Sequence, residues 1–458
     1  MNVVVVVIDS LRVDHVGAYG NDWIHTPHMD EFAKSACLFD QAYAEGLNTI
    51  PVRTAWFTGR FTFPYRPWMP LTFKDVALAE ILAFEGYTCA LIGDCYQYNK
   101  PRYNLQRGFE YVEWIRGQEF DKWIVDESID VEALVEKHFR PHPKYPEVSK
   151  KWRELFKQYL RNVSGRKTEE DYFPARVSTA AQNWLECQKK RDNLFLWVEF
   201  FDPHEPWDPP QKYRDLYEKD YRGQDLIDPV GGDVEGYLTP EELAHCRALY
   251  AGEVTMVDYW LGKLHAKVEE LGMLDNTLMV YMADHGHPLG AQGYLKKVKH
   301  FLYNELVQIP FMVRHPEGWG AGERRRAITE TPDVMPTILD ALEVEGPDTV
   351  QGKSVLPVLK GEKERVREYA YCGHYERSWA IKNEDWSLIL YLKPDVDGKS
   401  GVELFDLRKD LGERKNVAGE HREVACEMEL ELRRFVAKLQ NEPVPKDAEV
   451  PRRWVIEG

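Results

Sequence analysis

The sequence predicts an α/β fold in which a mostly parallel, doubly wound sheet is flanked by helices. Two observations predict it. The chain opens on a continuous β-branched run, residues 3–8 (VVVVVI), the pattern of a strand buried on both faces. Similar apolar runs then recur after helix-like stretches, and that alternation builds βαβ units. Residues 87–92 (YTCALI) follow a helical stretch over 76–84. Residues 194–201 (LFLWVEFF) follow one around 180–187. Residues 278–282 (LMVYM) follow a long amphipathic stretch over 243–271, and 309–313 (IPFMV) is a further short run.

The remaining segments read differently. Residues 121–166 are rich in charge and aromatics and carry no strand signal, which predicts a helical insertion near the mouth of a site. Residues 215–240 are acidic and loop-like. Residues 361–367 (GEKERVR) form a charged connector. Beyond it, 368–392 alternate as antiparallel strands do, and 423–439 read as a terminal amphipathic helix. The expected division is a larger domain over 1–365 and a smaller α+β subdomain over 366–458.

Composition excludes some functions. The formal net charge is −17 over 458 residues. So acidic a surface disfavours a nucleic-acid polymer or an anionic membrane as partner. It does not forbid one small basic pocket. The seven cysteines are scattered, with no CxxC spacing, so neither a zinc knuckle nor a disulfide framework is expected. They read as thiols of a reducing compartment. No apolar run approaches the roughly 20 residues of a membrane span. A cytoplasmic protein is the expectation, with homo-oligomerisation left open.

Four of the predicted strands end in residues capable of chemistry. They are Asp9-Ser10, Gly93-Asp94-Cys95-Tyr96, Asp202-Pro203-His204 and Ala283-Asp284-His285-Gly286. In such sheets ligands bind beyond the carboxyl ends of the strands. Asp9, Asp284 and His285 are suitable ligands for a divalent metal, and each also fits a plainer role as a loop cap or surface residue. Thr49 precedes Arg53 by four residues in a segment leading to a helix, which could set a hydroxyl and a cation at an oxyanion-binding helix N-terminus. A helix-capping threonine fits the same letters. The aromatics Phe61, Phe63, Tyr65 and Trp68 suit a substrate mouth or, more simply, packing. His245, His265 and His300 fall in helix-like contexts, and Cys95 reads as a small buried filler.

These motifs, in order, resemble the sulfatase family of the alkaline phosphatase superfamily. VVVVVIDSLRVDHVGAYGN…TPHMDEFA is similar to the family's opening, and NTIPVRTAWFTGR to its Cys/Ser-x-Pro-Ser-Arg…Thr-Gly-Arg signature. FFDPHEPWDPP, LDNTLMVYMADHG and HFLYNELVQIPFMVRHP resemble its later motifs. PDVMPTILDAL…GKSVLPVLKG and ELFDLRKDLGERKNVA resemble its closing ones. The resemblance implies an alkaline phosphatase-like sandwich. It implies one divalent metal ion (Mn2+, Zn2+ or Ca2+) held by Asp9, Asp284 and His285, with Thr49 and Ser10 as further ligands. It puts Thr49 at the nucleophile position, Arg53 beside it to orient it and steady charge on the ester, and His204 at the substrate anion or leaving group. A lysine of 296–299 would touch the transferred group. Lys297 has the spacing from Asp284 of phosphonate monoester hydrolases, and Lys296 and Lys299 stay open. Asp202, His204 and His300 are conceivable ligands of a second metal.

Departures from the family pattern narrow the expected activity. Sulfatases convert a Cys or Ser to formylglycine, and Thr49 is not a substrate for that conversion. Threonine is a direct nucleophile in related nucleotide pyrophosphatases. Ser10 replaces the second aspartate of the usual pair. Asp94 and Tyr96 replace a lysine and a histidine that hold sulfate, and so count as substrate-binding candidates. Fewer fixed cations suit a monoanion. The expected function is hydrolysis of a small-molecule phosphodiester or phosphonate monoester. The rivals are a sulfatase working without formylglycine and a non-catalytic anion-binding protein.

Overall fold

A computed structural model describes residues 1–100, 102–298, 300–395 and 398–441. Its centre is a twisted mixed sheet. Across the sheet the strands run Arg324–Glu330, Cys37–Tyr43, Phe311–Arg314, Thr277–Met282, Asn2–Ile8, Leu194–Phe200, Thr88–Gly93 and Tyr111–Trp114, with the short Gln308–Ile309 added against Cys37–Tyr43. Asn2–Ile8 lies parallel to both its neighbours, with Val7 level with Met282 on one side and Glu199 on the other. Every residue of Asn2–Ile8, Leu194–Phe200 and Thr277–Met282 is buried. Only a sheet covered on both faces can bury consecutive residues this way. Phe311–Arg314 alone runs antiparallel to both its neighbours, Thr277–Met282 and Cys37–Tyr43.

The helices form two groups. Pro27–Ala33 and Phe173–Gln188 pack on the long helix Pro240–Glu270, while Leu78–Phe84 and Val334–Ala341 pack on Thr49–Thr58. The long helix starts where its sequence says it should. Thr239 accepts from the Glu242 amide, the Glu242 carboxylate accepts from the Thr239 amide, and Pro240 fills the first helical position, which needs no N–H donor. Helices Glu132–His138 and Pro146–Val163 lie within 121–166. No helix among the described residues is long and apolar enough to cross a membrane.

The second sheet is antiparallel: Ala370–His374, Ser378–Lys382, Trp386–Tyr391 and Gly401–Asp406. Helix Arg422–Asn441 covers it through Met428, Leu432, Val436 and Leu439. Phe61 and Phe63 are buried in this second core and line no mouth, because the segment after Thr49–Thr58 passes beneath the small sheet. Trp68 is exposed, its indole N–H donating to the Tyr103 hydroxyl. The two sheets meet at Gly373. Its amide donates to the Glu45 carbonyl at 2.7 Å, and its carbonyl accepts from Leu47 at 3.1 Å. A side chain at Gly373 would run into the Phe63 ring, so this approach needs glycine. The small sheet thereby holds the backbone just before Thr49.

Candidate active site

Register builds the site. Because Asn2–Ile8 and Thr277–Met282 are adjacent and parallel, Asp9-Ser10 and Asp284-His285 emerge side by side. The Ser10 amide donates to Asp284 Oδ1 at 2.9 Å, and its hydroxyl donates to Asp9 Oδ1 at 2.8 Å. The His285 amide also donates to Asp284 Oδ1, at 2.7 Å. A side chain at Gly286 would strike the Glu305 carbonyl, so the turn after His285 needs glycine. All four polar side chains are fully buried.

Arg53 crosses this cluster from helix Thr49–Thr58. A guanidinium has five N–H donors, and each is engaged. Nη1 donates to the Thr49 carbonyl at 3.0 Å and to Asp284 Oδ2 at 2.5 Å. Nη2 donates to Asp9 Oδ2 at 2.8 Å and to Glu199, and Nε reaches Glu199 at 3.1 Å. The resemblance implied that Arg53 orients Thr49 and steadies charge on the ester, and its bond to the Thr49 carbonyl accords with the first of these. In this arrangement Arg53 has no donor left for an ester, and it organises three carboxylates. Burial opposes its charge, but Glu199 and Asp284 outweigh burial and raise its pKa. Asp9 is pushed well above the usual carboxylate range, first by burial and then by Asp284.

Glu199 escaped the sequence reading. Its signal was present: one acid inside the otherwise apolar run LFLWVEFF. A charge in a buried strand needs a partner, and Arg53 is that partner.

The donor set fits a divalent metal. Ligand atoms of Asp9, Asp284 and His285 all lie within 4.8 Å of one another. His285 Nδ1 faces the Gly286 carbonyl at 2.9 Å, so its proton sits there and Nε2 carries a lone pair. That Nε2 is buried, has no hydrogen-bond donor, and stands 3.3 Å from Asp284 Oδ2. A lone pair facing a carboxylate in a buried site calls for a cation between them. Burial holds the imidazole down at about 4, which keeps it neutral as a ligand must be.

Thr49 is the first residue of Thr49–Thr58 and is 6% exposed. Lys297 Nζ lies 3.2 Å from Ser10 Oγ and 3.3 Å from Glu205 Oε2. Lys296 pairs with Asp228 and lies over the Trp152 ring, with Glu205 Oε1 3.7 Å away. Lys299 lies outside the described residues. His204 Nδ1 is 2.7 Å from the Glu205 carbonyl and donates to it, which leaves Nε2 as an acceptor. Burial lowers the His204 pKa well below the usual value. Glu205 and His287 were not anticipated; their ring and carboxylate approach to 3.3 Å.

Asp94 does not face open space. It accepts from the Phe201 amide at 2.8 Å and shares the Gln118 amide with Asp202, and burial pushes it up to about 7. It braces one strand end against another, where the sequence had offered it for substrate. Tyr96 is half-buried, with Lys100 Nζ 4.5 Å from its ring centroid. Asp202 bonds to Gln118, and His300 stands 3.5 Å from Asp395. Among the described residues both clusters able to hold a cation run through Asp9, one with Asp284 and His285 and one with Cys95 and Glu199, and neither includes Asp202, His204 or His300. His245 bridges Glu218 and Asp225, a structural role. Cys95 is buried, and all seven thiols are unbridged.

The family whose description is "Sulfatase" matches residues 1–344, three quarters of the chain. The chain belongs to the sulfatase family. The family described as "N-sulphoglucosamine sulphohydrolase, C-terminal" matches residues 290–441. An arylsulfatase of Clostridium perfringens is 24% identical, covering 91% of this chain and 90% of its own length. A multifunctional alkaline phosphatase superfamily protein, PehA of Trinickia caryophylli, is 24% identical over 92% and 91%. Among solved structures, a phosphonate monoester hydrolase of Agrobacterium radiobacter superposes with a TM-score of 0.75 at 20% identity, covering 96% of each chain. That likeness shows the alkaline phosphatase-like fold. This sulfatase-family chain is accordingly an ester hydrolase of the alkaline phosphatase superfamily. The sulfatase family typically binds a divalent metal, and the buried Asp9, Asp284 and His285 form a candidate site for one.

Proposed function

We propose that this sulfatase-family protein hydrolyses monoanionic phosphorus esters, phosphodiesters or phosphonate monoesters, with Thr49 as nucleophile. The observation that carries this reading is Thr49 itself. It is a buried hydroxyl on the first turn of the helix whose Arg53 locks Asp9 and Asp284, and its methyl group bars conversion to the aldehyde on which formylglycine chemistry depends.

A divalent ion held by Asp9, Asp284 and His285 would supply Lewis acidity, lowering the pKa of the Thr49 hydroxyl and drawing charge from the ester oxygens. Arg53 fixes the carboxylates and, through the Thr49 carbonyl, the start of the helix. Thr49 Oγ attacks phosphorus and the bond to the leaving oxygen breaks. The Thr49 proton passes to solvent, and the leaving group departs as its anion or takes a proton from water. Water then attacks the phospho-threonine, releasing the product and restoring the hydroxyl. Lys297 stands beside Ser10 to meet a non-bridging oxygen. His204 is proposed at the leaving group. With its Nδ1 proton committed to a backbone carbonyl and its pKa depressed, it must gain a proton before it can give one. Leaving groups of low pKa should therefore be favoured.

A sulfate ester is the second reading, since it carries the same single charge and a relative bears the name arylsulfatase. The test is turnover of bis(p-nitrophenyl) phosphate, p-nitrophenyl phenylphosphonate, p-nitrophenyl phosphate and p-nitrophenyl sulfate with Mn2+, Zn2+ and Ca2+ in turn. Fastest turnover of the first two is expected. Hydrolysis of the sulfate alone would overturn the proposal. Anion binding without turnover of any ester would leave a non-catalytic protein.

A further inference from the structure

Glu205 sits where a sulfate or phosphate site has least use for an acid. It is buried, and its carboxylate reaches Lys297 at 3.3 Å, His287 at 3.3 Å, His204 Nδ1 at 3.5 Å and Lys296 at 3.7 Å. Lys297 is the cation that also touches Ser10, next to Asp9. Burial works against the Glu205 charge, yet the groups around it, the Lys297 and Lys296 cations and the His287 ring among them, outweigh burial and hold its pKa well below the ordinary range. It stays ionised.

Charge arithmetic shows the consequence. With Asp9 ionised, as a metal ligand must be, Arg53 (+1) against Asp9, Asp284 and Glu199 (−3) leaves −2, which a divalent ion would bring to zero. Lys296 and Lys297 (+2) against Glu205 and Asp228 (−2) leave zero. Further out, Lys100 faces Glu119, whose carboxyl burial pushes up to about 7, so that the two cancel at mildly alkaline pH. The pocket therefore has no surplus cation. In a buried setting each uncompensated charge is costly, so a dianionic ester brings two unmatched charges where a monoanionic ester brings one.

We infer that Glu205 is the specificity-determining residue for substrate charge: by neutralising Lys297 it admits monoanionic esters and disfavours dianionic ones. This rests on the proposed ester chemistry and gives it a named selector. Glu205 is placed here as a positioning residue, because it acts on the ester through Lys297.

The experiment compares kcat/KM for bis(p-nitrophenyl) phosphate, a monoanion, with p-nitrophenyl phosphate, a dianion at mildly alkaline pH, in the metal-loaded full chain and in Glu205→Gln. The diester-to-monoester ratio should fall about tenfold or more, as expected for removing a like charge in a low-dielectric pocket, and the gain should appear in KM for the monoester. Glu205→Asp should keep the wild-type ratio. A purely structural role would lower both activities alike, so an unchanged ratio in Glu205→Gln overturns the inference. Should Glu205→Gln turn over neither ester, calorimetric binding of inorganic phosphate against dimethyl phosphate decides. A shift towards phosphate supports the inference, and no shift overturns it. Failure of wild type to cleave the diester would instead sink the ester reading. The binding ratio would still judge Glu205.

Discussion

On the proposed mechanism Thr49 and Asp284 are the residues whose loss tests the chemistry most directly. Thr49→Ala should cost several orders of magnitude in turnover while the melting temperature shifts by no more than loss of a helix-start hydroxyl allows, about 1 kcal/mol. Thr49→Ser should keep much of the activity. Near-normal turnover in Thr49→Ala would remove it as nucleophile. Asp284→Asn should lose bound metal by elemental analysis, since the candidate site would keep only one of its two carboxylates. Retained metal would strike Asp284 from the ligand set. Much of this site was legible from letters alone, because Asp9, Ser10, Asp284 and His285 each follow an apolar run, and parallel strands deliver their ends to one edge. Glu199, Glu205 and His287 were not legible as members of the site. Their partners lie tens to hundreds of residues away, so no local pattern pairs them with Arg53 or Lys297. Asp94 shows the opposite error: a polar residue at a strand end that spends its oxygens on Phe201 and Gln118.

At the scale of elements, hydrophobic runs located the buried strands and missed the polar ones. Arg324–Glu330 escaped because three arginines fill its exposed end at the edge of the sheet, and Cys37–Tyr43 because Asp40 and Gln41 interrupt it. The helices 243–271 and 423–439 were anticipated within a few residues of Pro240–Glu270 and Arg422–Asn441, since amphipathic periodicity is a long-range signal and end residues are not. What stitches the elements together is polar. Lys382, fully buried on the second strand of the small sheet, donates to Glu413 at 2.6 Å and Ser387 at 2.7 Å, and the other Glu413 oxygen accepts from the Asn304 amide. Lys382→Met should therefore destabilise by about 3–5 kcal/mol, the cost of stranding a buried carboxylate. Lys382→Met combined with Glu413→Gln should recover part of it. Chemical denaturation measures both, and a loss under about 1 kcal/mol for the single variant would show that the pair is dispensable.

For the whole molecule, buried acids set the response to pH. Burial pushes Glu45 and Asp258 up to about 7 and Glu330 up to about 8. A carboxyl with a raised folded pKa holds its proton in the native state after the unfolded chain has released it. Its contribution is full below about 4.5 and is lost as pH rises through about 7. Glu45 reports this cleanly. Protonated, it can donate to the Thr62 hydroxyl and accept from the Thr62 amide, and glutamine can do the same. Glu45→Gln should melt increasingly above wild type as pH goes from 5 to 7, levelling off above about 8. A constant offset across that range would show that Glu45 does not titrate as described.

By itself the sequence determined the fold class and the strand ends at which chemistry is possible, because consecutive apolar β-branched residues point to a sheet covered on both faces, and the family through the order of its motifs. Tertiary structure alone decided which charges meet. It spent all five Arg53 donors on Asp9, Asp284, Glu199 and the Thr49 carbonyl, turned Lys296 to Asp228, and set Lys297 between Ser10 and Glu205. The reason is physical. Burial patterns follow from neighbours along the chain, whereas the pairing of buried charges depends on distances across the sheet, and in a low-dielectric interior those distances fix both pKa and role.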